Sequence, residues 1–162
     1  MKTSGTDSKT TGCVRICRLQ NLKRVKADRK IAISYDLNGK FAFAEKPAVL
    51  LPGKDMIEAA AGFKADGDSE GLSQFFDKTV VPQYLDQLQT GAGRALLNGV
   101  YKAVKSGQTV AIGCYCADEA VCVRSVLAGL FQGVGLEVKG VEGDYSGYFT
   151  LFKQTAPVLA MA

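Results

Sequence analysis

Hydrophobic and polar positions fall into two periods along this chain. Between Cys13 and Leu19, Val14 and Ile16 alternate with Cys13, Arg15 and Cys17, the two-residue repeat of a β-strand. Lys30–Tyr35 predicts a second strand and Phe41–Phe43 a short third one, with the turn-forming run 36–40 between them. Pro52-Gly53 then breaks the chain and the period lengthens. Lys54–Lys64 places Met56, Ala59, Ala60 and Phe63 on one helical face. Gly71–Leu88 predicts a second helix, or a pair broken near Pro82, with Phe75, Phe76, Val80, Tyr84 and Leu88 toward the core. Gly91–Lys105 predicts a third, burying Leu96, Leu97, Val100, Tyr101 and Val104, with Gly107 suited to its carboxyl-terminal cap.

The run Val110–Cys116 is apolar and of strand length, the pattern of a parallel strand buried on both faces. A polar turn, Ala117–Val121, leads to an apolar helix, Cys122–Gly133, and then to a strand, Leu136–Val141. Such a β–turn–α–β unit closes with a right-handed crossover. Gly143–Phe152 reads as a final edge strand or a pocket-lining loop. The expected fold is α/β, a three-layer sandwich with a mostly parallel Rossmann-like sheet. It forms one domain over residues 12–153, with flexible tails at 1–11 and 154–162.

Composition narrows the chemistry. There is no histidine, which removes the usual general base and the commonest zinc ligand. Five cysteines in a core-rich chain of 162 residues read as reduced thiols rather than a disulfide framework. The net charge of +4 is uneven: residues 1–40 hold ten Lys/Arg against three Asp/Glu, and residues 41–162 hold ten against thirteen. A basic amino-terminal region suits phosphate-rich partners, but a solvated basic surface or a guarded edge strand has the same composition. No apolar run reaches membrane-spanning length and the first residues lack a signal-peptide core, so a cytoplasmic chain with no membrane partner is expected.

Ligands of open parallel sheets bind beyond the carboxyl ends of the strands. Here that edge is Cys114–Cys122, leading into a helix amino terminus whose free amides and dipole favour an anion. Arg124 and Ser125 would add a cation and a hydroxyl, and Cys122 would be favoured as a thiolate. Asp118 and Glu119 would repel thiolate and phosphate alike; they suit helix capping, or a hydroxyl or amine on a ligand. The Cys–five residues–Arg spacing of cysteine phosphatases is absent, since seven residues separate Cys116 from Arg124 and one separates Cys122 from it. Cys114 and Cys116 share one side of a strand, so with Cys122 and Cys13 or Cys17 three or four thiols converge in principle. With no Cys-x2-Cys pair and no histidine, no metal site is assigned. Cys13, Cys17 and Cys114 also read as small buried hydrophobes. Gly91-Ala-Gly93 lacks a preceding strand, and Gly129–Gly133 reads as tight helix packing rather than a site.

Gly113-Cys-Tyr-Cys116, Cys122-Val-Arg-Ser125, Leu127-Ala-Gly-Leu130 and Gly135 together resemble the signature of the family known as domain of unknown function 488, common in bacteria and their phages. In that family a buried strand ends in a cysteine-rich edge and a Cys-His-Arg motif opens the next helix. Fainter likenesses lie in Cys13–Leu19 with Arg18, in Leu50–Lys54, and in Phe75–Leu88 with Tyr84. The likeness extends over most of residues 13–142 and is strong over Val110–Gly135. It implies a three-layer α/β fold and an edge pocket around Cys116, Cys122 and Arg124, walled by Arg18 and Tyr84. The family's histidine position is Val123 here, and valine cannot coordinate or shuttle a proton, which shifts the expectation from enzyme toward binding protein.

The leading expectation is a binding protein for a small phosphorylated or nucleotide-like ligand, held by Cys116, Asp118, Cys122, Arg124, Ser125 and Arg18, with Tyr145 or Tyr148 stacking on a base. A phage-encoded copy would act in the host cytoplasm. One alternative is an interaction protein docking a host protein or nucleic acid through Arg15, Arg18, Lys23, Arg24, Lys26, Arg29 and Lys30. The other is an enzyme using Cys116 or Cys122 on nucleotides or nucleic acid. The sequence identifies no cofactor.

Overall fold

The computed structural model describes residues 12–35 and 39–155. The tail read at 1–11, most of the one at 154–162 and the centre of the turn at 36–40 lie outside these residues. Four parallel strands, β1 (Val14–Arg18), β2 (Arg29–Ile33), β3 (Val110–Cys114) and β4 (Val138–Lys139), stand in the order β2-β3-β1-β4. Arg18 and Ile33 are both in register with Cys114, and Val14 and Arg29 with Val110. Residues paired in this way share a face. Val14, Ile16, Ile31, Ile33, Val110 and Ile112 therefore form one aliphatic, buried face, and Arg15, Cys17, Lys30, Ala32, Ala111 and Gly113 form the other.

The helices are α1 (Lys54–Ala65), α2 (Ser69–Phe75), α3 (Val81–Leu88), α4 (Gly91–Lys105), α5 (Val123–Gly133) and α6 (Gly147–Thr155). Tyr84 and Leu88 of α3, Leu97 and Val100 of α4, and Val126 and Leu127 of α5 join the aliphatic face in one core. Burial of each large side chain there stabilises the fold by about 1.5–3 kcal/mol. The other face is covered by the β1-to-β2 connection, where a short 3-10 turn, Leu19–Asn21, sets Leu19 and Leu22 with Phe41 over Ala32 and Ala111. A Cβ on Gly113 would stand 3.3 Å from the Leu19 Cα, so the small residues of this face let a thin cover approach closely. The fold is thus a three-layer α/β sandwich on a parallel sheet, as the sequence pattern predicts, with helices in one outer layer and mostly loop in the other.

Several elements depart from the pattern for visible reasons. Phe41–Phe43 is a turn rather than a strand; only Glu45 extends the sheet, its amide donating to the Lys30 carbonyl at 2.9 Å. The second helix is not broken at Pro82. Residues Phe76–Val80 widen into a π-helical turn between α2 and α3, which makes room for the proline ring and its missing amide. β4 is shorter than Leu136–Val141, because Gly140 turns away at φ +89° where a Cβ would stand 2.0 Å from the Ile16 carbonyl oxygen. Residues 147–155 form a helix, not a strand or loop. Its docking needs Gly129 and Gly133 on α5, where Cβ atoms would meet the Tyr145 carbonyl oxygen at 2.0 Å and Phe149 at 2.2 Å. Among the described residues no helix is long and apolar enough to cross a membrane.

Candidate functional site

β3 leaves the ladder after Cys114, two residues earlier than its apolar run suggests, because the backbone beyond it has another partner. Nη1 of Arg124 donates to the Cys116 carbonyl at 2.6 Å, and Nη2 donates to the Ala117 carbonyl at 3.5 Å. Asp118 then caps a 3-10 turn, Glu119–Val121, accepting from the Ala120 amide at 3.0 Å. Glu119 accepts from the amides of Glu142 and Gly143 and, at 2.7 Å, from the Tyr145 phenol, which ties the segment after β4 to this turn. Cys122 stands at the amino-terminal cap of α5, and the Ser125 hydroxyl donates back to its carbonyl at 2.8 Å.

Three thiols meet at this edge. The sulfurs of Cys114, Cys116 and Cys122 all lie within 4.8 Å of one another. Hydrogen bonds from the Cys114 and Cys122 thiols hold the Cys116 thiol down to about 3, against the effect of burial, and the charges of Lys64 and Arg124 act in the same direction. As donors to Cys116, the other two move the opposite way: Cys114 is pushed up to about 11, and Cys122 is held well above its ordinary range by both partner thiols and by burial. Neither cysteine of the β1 region joins them. Cys17 faces the opposite side of the sheet with its thiol pushed up by burial, and the Cys13 sulfur lies 4.0 Å from the Thr109 hydroxyl.

Beside the thiols opens a cavity of about 480 Å³ between the ends of β2 and β3 and helices α1 and α2. Ile33, Met56, Ile57, Phe75, Phe76 and Val80 make it apolar; Ser34, Tyr35, Lys64, Cys114 and Cys116 supply its polar or reactive groups. Val123, standing where the resembled family has histidine, is part of the same wall. Tyr115, 70% exposed, lines the cavity and also a second, smaller hollow of about 130 Å³ formed with Arg18, Gln20, Lys40 and Phe41.

Of the residues singled out in the sequence, the structure brings Cys114, Cys116 and Cys122 together, without Cys13 or Cys17. Arg124 does not line the cavity; it is 5% exposed and turned to the loop carbonyls. Ser125 is buried, with its hydroxyl on its own helix. Tyr84 is a core residue whose phenol donates to the Leu50 carbonyl at 2.8 Å, and it is not a pocket wall. Arg18 is exposed across Tyr115 from the thiols. Tyr145 and Tyr148 stack on each other, centroids 6.3 Å apart. Within the basic region Arg29 pairs with Glu45 and Lys30 donates to the Lys23 carbonyl, while Lys23, Arg24 and Lys26 stay exposed. Sequence reasoning missed Lys40, Lys64 and Tyr115. Tyr115 carried a signal, since a large ring between two cysteines at a strand end must face away from both.

No curated protein and no solved structure matches the chain. A family model does match residues 63–135, from the end of α1 through Gly135, and is described as DUF488-N3a, the active DUF488-N3 subclade. The matched span contains the three thiols, Val123, Arg124 and most of the helical face of the core. Over residues 63–135 the chain is therefore similar to this family, in agreement with the resemblance carried by its cysteine edge.

Proposed function

We propose that the chain binds a small organic anion at this edge, with a planar or apolar part in the cavity and the anionic group between Arg18 and Lys40. The observation that carries this reading is Tyr115, one exposed ring that is wall to both the apolar cavity and the basic hollow. A volume of about 480 Å³ lies within the range of small-molecule sites, and an apolar wall with few polar groups suits a ring better than a bare phosphate. Among the described residues neither Arg18 nor Lys40 forms an ion pair, so their charges are available to a ligand. A nucleotide-like compound meets the description. The test is calorimetric titration with adenosine monophosphate, adenosine and inorganic phosphate. The monophosphate is expected to bind tightest, and Arg18→Ala to weaken it about tenfold or more while leaving adenosine unchanged. Equal affinity in Arg18→Ala and the parent chain overturns the reading, as does absence of saturation with all three probes.

A second reading is favoured by the matched subclade's description as active and by the half-buried position of Cys116 on the cavity wall. Here the Cys116 thiolate attacks an electrophilic carbon of the bound ligand, the new carbon–sulfur bond forming as the bond to a leaving group breaks and that group departs with the electron pair. Water then displaces the sulfur and restores the thiolate, without any histidine. Cys116→Ser would then stop turnover and keep binding; turnover that survives this substitution sinks the idea.

A further inference from the structure

We propose that Cys114, Cys116 and Cys122 together hold a single thiophilic divalent cation of the zinc type, with a fourth coordination position open to the cavity. Three separate pieces of backbone deliver these sulfurs to one point: the end of β3, the loop after it and the cap of α5. They already lie within 4.8 Å of one another. Thiolates bound at about 2.3 Å to one tetrahedral ion stand about 3.8 Å apart, so modest side-chain rotation closes the site. An all-sulfur donor set selects zinc-like or cuprous ions over magnesium or calcium. A multi-iron cluster places irons and sulfides between its cysteines and spreads them farther apart, so one ion fits this spacing better.

The open position follows from the neighbours. The nearby carboxylates are already used, Asp118 on the Ala120 amide and Glu119 on the Glu142 and Gly143 amides and the Tyr145 phenol. Cys114 and Cys116 face the cavity. Three protein ligands and an open fourth position distinguish zinc sites that meet a substrate from closed structural ones. Arg124 serves as a positioning residue: it clamps the carbonyls of Cys116 and Ala117, and its charge offsets the surplus of three thiolates over a dication.

The test uses the full chain, reduced and stripped with a chelator. Zinc is titrated against a chromophoric chelator, and cadmium supplies a sulfur-to-metal charge-transfer band whose intensity counts thiolates. One ion per chain and a three-thiolate band are expected, with affinity lowered about 100-fold or more in Cys116→Ser and unchanged in Cys17→Ser and Arg18→Ala. Should Cys116→Ser not fold, peptide mapping of iodoacetamide labelling in the parent chain decides. Zinc should protect Cys116, the half-buried thiol of the three, and leave Cys17 as reactive as before. Substoichiometric binding, a missing band, or zinc that leaves Cys116 unprotected overturns the proposal. Because Arg18→Ala is expected to keep the ion and lose the anion, the metal site and the anion site fail separately.

Discussion

The two sides of Tyr115 are built on opposite plans. On the thiol side the strong polar groups behind the cavity wall are engaged by the protein itself: Arg124 holds the carbonyls of Cys116 and Ala117, Tyr84 holds that of Leu50, and Glu119 gathers two amides and a phenol, while Lys64 on the wall has no such bond among the described residues. On the other side Arg18 and Lys40 flank a small hollow, and the Arg18 side chain has no hydrogen bond or ion pair among the described residues. The difference separates stability from recognition. Groups engaged internally shape the site and hold it open, while groups left unpaired are free to meet something else.

The sharpest way to break this contrast is at Arg124. Arg124→Met keeps much of the buried stem but deletes the clamp on two carbonyls, one of which accepts at 2.6 Å. Loss of hydrogen bonding to a buried charged group costs about 2–3 kcal/mol. Urea denaturation should show that loss. A variant as stable as the parent would mean the guanidinium is not holding the loop, and the two sides would no longer differ in kind.

Tyr84→Phe is the next largest test. The phenol is wholly buried and is the hydrogen-bond donor to the Leu50 carbonyl at 2.8 Å. Removing the donor leaves a buried acceptor unpaired, so a loss of about 1–2 kcal/mol in the same assay is expected. An unchanged midpoint would show that water reaches the Leu50 carbonyl.

How legible this edge is in the sequence follows the same division. The β3–α5 unit is readable because a buried parallel strand and an apolar helix have their own periods, and the thiols stand at their junction. Helix α6 carried a signal that the strand-or-loop reading passed over: Tyr145, Tyr148, Phe149 and Phe152 are spaced by three, one and three, a helical rather than an alternating repeat. What the sequence does not show is where a long side chain goes. Arg124 at a helix start has two uses, an incoming anion or the chain's own carbonyls, and only the course of the 115–118 loop decides between them. The cavity was equally hidden, since its walls come from β2, α1, α2 and the β3 edge, distant in sequence.

Glu119→Gln probes a weaker tie. The residue is half-buried, and glutamine keeps one acceptor oxygen, so a stability loss of about 0.5–1 kcal/mol is expected. The spectroscopic effect is more specific. Burial first, and then the bond to Glu119, push the Tyr145 phenol far above its usual range. A phenol raised in this way contributes stability that is complete below the unfolded value near 10 and is lost as pH rises beyond it. In Glu119→Gln the ultraviolet phenolate titration should therefore shift downward. An unmoved titration would assign the whole effect to burial.

The smallest expected change in stability is at Arg18 and Lys40, and it tests the contrast most directly. Both are exposed, and the ammonium of Lys40 rests 5.7 Å from the Phe41 ring centroid. Exposed substitutions away from caps, cores and paired charges fall within about 0.5 kcal/mol, so the double variant Arg18→Ala, Lys40→Ala should unfold at the parent's urea midpoint. The same variant should show the largest loss of adenosine monophosphate binding, because it removes both cations of the hollow and nothing from the cavity. If it instead unfolds early, these side chains serve the fold through contacts on the thin outer layer. The open side would then be structural, and recognition would have to come from the cavity and its thiols alone.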